Sequence, residues 1–538
     1  MLGSDHERHL RLVAVLGEPR PHRASAVRRD LAHSPAQGVH CRLRLGRARV
    51  AGALPPRPRW SLVPLESSTQ PREVETSSWV TPKIRLAVPL ISAAMDTVTE
   101  TEMAIALARA GGIGVLHRNQ AIEAQAAMVA QVKGSEAGMV SDPVSIGSDR
   151  TVGDAFDLMA LHHIGGIPVV NGDGKLLVGI VTNRDLRFED DPARPVAEVM
   201  TPAGRLVTAP AGTTLAEARA IFGRHKIEKL PLVGPGGKLA GLITVKDLMK
   251  AAAFPNATKD ERGRLRGGAA VGVGADARDR AAALIEAGAD LIVVDTAHGH
   301  SSAVLDMVSW LAGASSVEVV GGNISTADGA KALMGAGAAA VKVGQGAGAI
   351  CTTRVVAGVG VPQVTAIMDA AEALSGTGVK VIADGGARSS GDVAKAIAAG
   401  AGTVMCGNLF AGTDEAPGEV FVVGGERMKD YRGMGSLGAM ASRSSFSKDR
   451  YGQEGVRAEK LVPEGVEASV SYKGPVHAII HQLVGGLRAA MGYCGAGTIS
   501  ELQEKAELVQ VSHASLIEAH PHNVTVMRLP PNYRPPAV

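Results

Sequence analysis

Eight short apolar runs, mostly rich in β-branched residues, punctuate the chain between residues 88 and 407. They are VPLIS (88–92), GIGVL (112–116), AAVGV (269–273), LIVVD (291–295), VEVVG (317–321), AVKVG (340–344), VKVIAD (379–384) and TVMCG (403–407). Amphipathic helical stretches such as 277–288, 326–336 and 389–399 separate many of them. A strand that is apolar on both faces must be covered on both, and parallel strands joined by crossover helices meet that demand. Eight such units predict an α/β chain closed as a (β/α)8 TIM barrel rather than an open sheet.

At 538 residues the chain is too long for one ordinary core, and two or three domains are expected. Hydrophobic content of 45% with 20% charged residues suits a globular protein, and a net charge of +3 is too small to argue for a nucleic-acid partner. The four cysteines, at 41, 351, 406 and 494, show no metal-ligand spacing, which fits free thiols in a reducing compartment. No apolar run is long enough to span a bilayer, so a cytoplasmic location is the expectation. Residues 1–59 stand apart. They are arginine-rich, poor in acids and without hydrophobic period. A disordered basic arm, a transit peptide or a mis-set start would each read this way, and no function is assigned there.

The barrel is expected to run over 60–137 and 253–538, with a flap and a tail in its second part. Between them, 138–252 contains an internal repeat. One copy runs through DPVSIGSDRTVGDAFDLM, IGGIPVV and GIVTNRDL, the other through TAPAGTTLAEARAIF, IEKLPLV and GLITVKDLM. The pair resembles a tandem cystathionine-β-synthase-type (CBS) α+β module, a family that binds purine nucleotides in the clefts between repeats. That resemblance gives Thr182, Asp185, Thr244 and Asp247 ribose contacts; the alternative is that the aspartates cap the helices that follow.

In this fold the chemistry sits where strands end. Ser92, Met95 and Asp96 follow the first strand, Asp295 ends the fourth and Asn323 follows the fifth. Asp384-Gly-Gly closes the seventh, and Gly407-Asn408 the eighth. Strands seven and eight are the usual phosphate site of such barrels, and glycines there expose backbone N–H groups. A phosphorylated substrate is therefore suggested.

The most specific segment is KVGQGAGAICTTR (342–354). Its glycines leave the backbone free to fold tightly. Cys351 lies off any apolar period with Arg354 near it in sequence, and a nearby cation favours the reactive thiolate. The competing role, a small buried cysteine, suits Cys406 and Cys494 better.

The segments SAAMDTVTE (92–100), GGIGVLHRN (111–119), VVDTAHGHS (293–301), VIADGG (381–386), YRGMGSLGAM (431–440) and LVGGLRAAMGYCGAGT (483–498) resemble the IMP dehydrogenase family, and the likeness extends from about 61 to 533. The resemblance implies a homotetramer that oxidises IMP to XMP with NAD. Cys351 would attack C2 of the purine, a hydride would pass to the nicotinamide, and the covalent thioimidate would be hydrolysed. Arg450 in a flap, DRYGQE (449–454), would act as base beside Tyr451, with Thr353 positioning water. An isolated arginine is a poor base, so a surface arginine is the default without the resemblance. Asp295 would bind the nicotinamide ribose, with Gly344, Gln345 and Gly346 beside the cofactor; a helix cap is the alternative for Asp295. Ser92, Asn323, Arg432 and Gly433 would contact the substrate, Asp384 its ribose, and Gly385, Gly386, Gly407 and Tyr431 its phosphate. Met434, Gly435 and Glu464 would read the hypoxanthine edge. Carbonyls of Gly346, Gly348 and Cys351 would hold potassium, completed by Glu518, Ala519 and His520 of a neighbouring subunit. Backbone oxygens suit a hard monovalent ion better than a transition metal.

The chain departs from the family pattern at several points. Ala349 and Asn408 replace serines that normally donate to the phosphate, and a hydrogen bond to a charged group contributes about 1.5–3 kcal/mol. Gln345 and Ala347 replace an apolar residue and a proline, which is expected to loosen the loop, and Gly452 replaces a bulky residue of the flap. WSLVPLE (60–66) stands where a Thr/Tyr-Asp-Asp strand usually begins, which puts closure of the barrel's base in question. Two rival readings are GMP reductase, which shares barrel and cysteine, and a nucleotide sensor on a decayed barrel.

Overall fold

The computed structural model describes residues 59–135, 143–162, 164–172, 176–441, 449–451, 453, 456–533 and 535. Apart from Arg59, the segment 1–59 lies outside them, as does Gly452.

All eight expected strands form. They are β1 (Leu90–Ser92), β2 (Ile113–Leu116), β3 (Gly268–Val271), β4 (Leu291–Asp295), β5 (Glu318–Ile324), β6 (Ala340–Val343), β7 (Lys380–Asp384) and β8 (Thr403–Cys406). Each pairs in parallel with the next, and β8 returns to β1, so the sheet closes into a barrel. Helices follow the strands, among them Ala277–Glu286, Ala327–Gly335 and Ser390–Ala398 within the three stretches expected from periodicity.

Side-chain alternation decides what reaches the barrel mouth. On β4, Leu291 and Val293 pack inside the barrel while Ile292 and Val294 pack against the outer helices. A period of two therefore sends Asp295 inward at the strand's end. The same parity runs from Ala340 to Lys342 on β6 and from Ile382 to Asp384 on β7. Gly322 on β5 faces Lys342, and a Cβ there would lie 2.6 Å from the lysine's own Cβ. Glycine is what leaves the lysine its space.

The base of the barrel is closed, contrary to the doubt raised by the unusual start. A ribbon of Ser78–Thr81 and Ile84–Leu86 inserts Val80, Ile84 and Leu86 into the interior cluster. Arg59–Leu62 pairs antiparallel with Leu508–Val511. Apolar ribbon side chains do the sealing, so the missing acidic motif is not needed for it.

Between β2 and β3 the two sequence copies build two small sheets, of four and three strands, each over its own apolar cluster. The hairpin of Gly166–Asn171 with Leu176–Thr182 matches that of Lys229–Val233 with Leu239–Thr244. Both shift register at the equivalent place, Val169/Val170 in one and Leu232/Val233 in the other. Beyond β8 an antiparallel sheet of β9 (Phe421–Val423), β10 (Glu426–Arg432) and β11 (Glu467–Ser471) carries the segments that bear on the mouth.

Candidate active site

The inward charges of β4, β6 and β7 meet in one network. Lys342, 1% exposed, places its Nζ 2.9 Å from Asp295 Oδ1 and 2.6 Å from Asp384 Oδ2, and donates to Asn323 Oδ1. Asn323 Nδ2 in turn donates to Asp384 Oδ2 at 2.8 Å and to the Gly344 carbonyl at 2.7 Å. A buried ammonium needs such partners, since an unpaired one costs several kcal/mol. Burial alone would raise the Asp295 carboxyl, but the cations of Arg450 and Lys342 outweigh it and bring it to about 2. Sequence reading missed Lys342, although a lysine on the inward parity of an apolar strand was a visible signal.

The loop after β6 folds as its glycines allow. At Gly344, φ is +147° and a Cβ would fall 2.0 Å from the Asp384 carbonyl oxygen, so any side chain is excluded. Gln345 ties the loop down instead of loosening it, correcting the expectation. Its carbamoyl accepts from Ser325 Oγ at 2.5 Å, donates to the Ala297 carbonyl at 3.1 Å and lies 3.1 Å from His298 Nδ1. Arg354 donates to the carbonyls of Gln345 and Val361, which makes it a clamp for the loop.

Cys351 is partly exposed, and its neighbour is a hydroxyl. Sγ lies 3.1 Å from Thr353 Oγ1, which donates to Glu464 Oε2 at 2.7 Å. With Thr353 donating to the carboxylate, its oxygen is left to accept from the thiol, so thiol, hydroxyl and carboxylate form one proton path. Backbone pairing fixes the arrangement: Thr352 N donates to Glu464 O at 2.9 Å, and Val466 N to Ile350 O at 3.0 Å. Cys406 is different in kind. Burial, with help from Asp384, pushes its thiol up to about 12. Cys494 is buried and raised by burial as well.

Against the Cys351 loop, Gly385 and Gly386 both take positive φ, +85° and +86°, and a Cβ on Gly385 would lie 3.2 Å from Gly348 N. A Cβ on Gly407 would stand 2.9 Å from Tyr431 Oη, so the phenol lies against the end of β8. Tyr431 is buried, and burial raises its phenol. Ser92 Oγ is buried without a hydrogen-bond partner among the described residues, on the side of β1 that Leu90 turns to the outer helices. Ala349 is exposed, and the Asn408 carbonyl accepts from Lys473 Nζ. Gln363, also missed, joins β6 to β7 by donating to Val343 O at 2.8 Å and Asp384 O at 3.1 Å.

Arg432 is held by Asp96 at 2.6 Å, and Asn119 Nδ2 donates to the same carboxylate at 2.7 Å. This clasp fastens β10 to the loop after β1. Gly433 N donates to Val466 O, and Glu464 N to Gly435 O, both at 3.0 Å, bringing buried Met434 and its flanking glycines alongside the Cys351 loop. Tyr451 lies over Gly435, whose Cβ would come 2.5 Å from the tyrosine Cζ. Arg450 donates to Asp295 Oδ2. Burial opposes its charge, but the Asp295 anion raises the guanidinium above its usual range. So paired it is a fixed cation, and acting as a base requires its release.

The remaining expected residues lie farther out. Gly346 has φ of +66°, and the Gly348 carbonyl accepts from Cys351 N at 3.3 Å. Glu518 ends the helix His513–Glu518, followed by Ala519 and by His520, whose Nδ1 is 3.1 Å from Tyr533 Oη. Among the described residues no three His, Cys, Asp or Glu side chains are grouped to hold a metal ion. In the inserted repeats the capping geometry is duplicated. Asp185 Oδ2 accepts from Thr182 N and Oγ1 at 2.8 and 2.7 Å, and Asp247 Oδ2 does the same with Thr244.

A closed parallel barrel that gathers buried carboxylates, exposed glycine backbone and an accessible thiol at the C-terminal ends of its strands defines a barrel enzyme of nucleotide chemistry. Residues 59–522 match the family model described as the IMP dehydrogenase / GMP reductase domain, and the chain belongs to that family. It is 57% identical over 475 residues to inosine-5'-monophosphate dehydrogenase of Aquifex aeolicus, covering 88% of this chain and 96% of that protein. It is 56% identical over 478 residues to the Mycobacterium bovis protein of the same name, covering 88% and 90%. A crystal structure of a Trypanosoma brucei GMP reductase variant with guanosine 5'-monophosphate superposes with a TM-score of 0.77 at 40% identity, covering 88% of this chain and 99% of that one.

Proposed function

We propose that the protein oxidises IMP to XMP with NAD, through a covalent intermediate on Cys351. The observation that carries this reading is the path from Cys351 Sγ through Thr353 Oγ1 to Glu464 Oε2, with spacings of 3.1 and 2.7 Å. Thr353 and Glu464 take the proton as the thiol becomes the nucleophile. The sulfur adds to C2 of the purine, the C2 hydrogen departs with its electron pair, and a thioimidate remains. NAD, when bound, supplies the carbon that accepts this hydride. Water then adds to C2, the C–S bond breaks, and XMP leaves with the thiolate restored. Glu464 passes the thiol proton to solvent before hydrolysis; Thr353 then orients the water, and Glu464 receives its proton through Thr353 while Arg450 is held by Asp295.

Asp384, steadied by Asn323 and Lys342, is suited to the substrate ribose, and the open backbone at Gly385, Gly386 and Gly407 with Tyr431 to its phosphate. Asp295 suits the cofactor ribose, because a buried ionised carboxylate is a strong acceptor for a diol. The carbonyl donors of Gly346, Gly348 and Cys351 suit a hard monovalent cation such as K+, completed by Glu518–His520 of a second copy in a homotetramer. The duplicated Thr/Asp caps of the inserted repeats suit purine nucleotides in a CBS module at 138–252, with the barrel at 60–137 and 253–538.

The deciding experiment supplies IMP with NAD and, separately, GMP with NADPH, to wild type and Cys351→Ala. Formation of NADH and XMP by wild type alone supports the reading. NADPH consumption with GMP would assign the reductive reaction, which the GMP reductase neighbour keeps in view. Nucleotide binding without turnover would assign a sensor.

A further inference from the structure

Lys342 stands between two sites that the reading above treats separately. Its ammonium is 2.9 Å from Asp295, suited to the cofactor ribose, and 2.6 Å from Asp384, suited to the substrate ribose. Neither carboxylate is set by its own strand alone. Asp295 ends β4 and Asp384 ends β7, and β6 between them in the network carries an ammonium that touches both. Lys342 is also hydrogen-bonded to Asn323, which donates to Asp384, so the lysine braces that carboxylate directly and through the amide. It is 1% exposed, and Gly322 facing it admits no side chain that could fill its place.

We propose that Lys342 is a positioning residue for both nucleotides, holding the two ribose-binding carboxylates at a fixed separation, so that loss of its charge weakens the IMP and NAD sites together. This rests on the ribose assignments of Asp384 and Asp295. A cation that steadies an acceptor contributes through the charged hydrogen bonds that acceptor makes, and losing one such bond lowers affinity by about tenfold or more.

The test is steady-state kinetics of Lys342→Met at matched tetramer content. KM for IMP and KM for NAD should each rise about tenfold or more, with a smaller fall in kcat. A general loosening of the fold would lower the melting temperature without this paired rise. Because methionine removes the cation that both carboxylates share, the pairs Asp384→Asn with Asp384→Asn/Lys342→Met, and Asp295→Asn with Asp295→Asn/Lys342→Met, form the second arm. In the first pair the added Lys342→Met should still raise KM for NAD, and in the second KM for IMP. A rise for one nucleotide alone, or for neither, overturns the proposal. Should Asp384→Asn leave KM for IMP unchanged and Asp295→Asn leave KM for NAD unchanged, the ribose assignments fall and the proposal with them. Normal effects of those two variants beside an inert Lys342→Met reject the lysine's role alone.

Discussion

Arg450 donates its guanidinium to the carboxylate of Asp295, the residue that ends β4. On the ribose role proposed for Asp295, the flap arginine and the cofactor claim the same carboxylate. Arg450 holds Oδ2 and Lys342 lies 2.9 Å from Oδ1, so a diol bound across both oxygens would displace Arg450. On that role, hydride transfer needs Arg450 away from the carboxylate, and so does any base role for Arg450 in hydrolysis.

Arg450→Ala should separate the two half-reactions. The first turnover needs Cys351 and the nucleotide sites, so a burst of NADH equal to the active sites is expected. The steady rate should then fall about 10²- to 10⁴-fold, the span typical of a lost proton-transfer group. Stopped-flow absorbance of NADH measures both phases, and equal slowing of burst and steady rate would count against the assignment.

In the proposed mechanism Glu464, which accepts from Thr353, gives the water proton a second route. Two parallel routes make the double variant Arg450→Ala/Glu464→Gln lose more than the product of the single losses. A double loss no greater than the larger single loss would mean that the two residues act in one unit. Single-turnover decay of the Cys351 adduct, followed by quench and mass spectrometry, gives the numbers.

Much of this site was legible because strands and glycines write themselves locally. The inward parity of β4 and β7 leads to Asp295 and Asp384, and the loop of Gly344 to Gly348 announces itself by composition. What was not legible depends on segments far apart in sequence. Arg450 meets Asp295 across 155 positions, Thr353 meets Glu464 across 111, and Arg432 meets Asp96 across 336. No periodicity encodes such pairs. Lys342 and Gln363 were overlooked for a related reason: each looked like part of its own strand or helix, while its role lies in the neighbouring strands it joins. Gln345 was misjudged because its polarity was weighed against an apolar residue, before Ser325, Ala297 and His298 were known to surround it.

Thiol reactivity should follow burial. At pH 8 a thiol at about 12, such as Cys406, is almost wholly protonated and shielded. Iodoacetamide should therefore label Cys351 while sparing Cys406 and Cys494, and IMP should slow that labelling. Peptide mapping checks this, and prompt modification of Cys406 would refute its burial between the barrel and the outer helices.

Acid should act partly through Asp295. Its carboxyl at about 2 lies below the roughly 3.9 of an unfolded aspartate. Its ionic attachment therefore stabilises the fold fully above pH of about 4 and is lost as pH falls through about 2, an effect on the order of 2–3 kcal/mol. Asp295→Asn should be less stable than wild type at pH 6, and the gap should narrow by pH 2.5. Urea denaturation at the two pH values measures the gap, and a constant difference would show that the charge is not the cause.

Ala349 lies exposed on the loop that leads to Cys351. A serine there restores a hydroxyl on the side of the mouth where Gly385 and Gly386 expose their backbone. A hydrogen bond to a charged phosphate contributes about 1.5–3 kcal/mol, or roughly 10- to 150-fold in affinity. The phosphate is remote from C2, so the gain should fall on binding more than on the chemical step. Ala349→Ser is therefore expected to lower KM for IMP about tenfold with kcat little changed. The same substitution tested on inosine, which has no phosphate, should change nothing. An equal effect on both would place the new hydroxyl against the ribose or base and move the phosphate away from this loop.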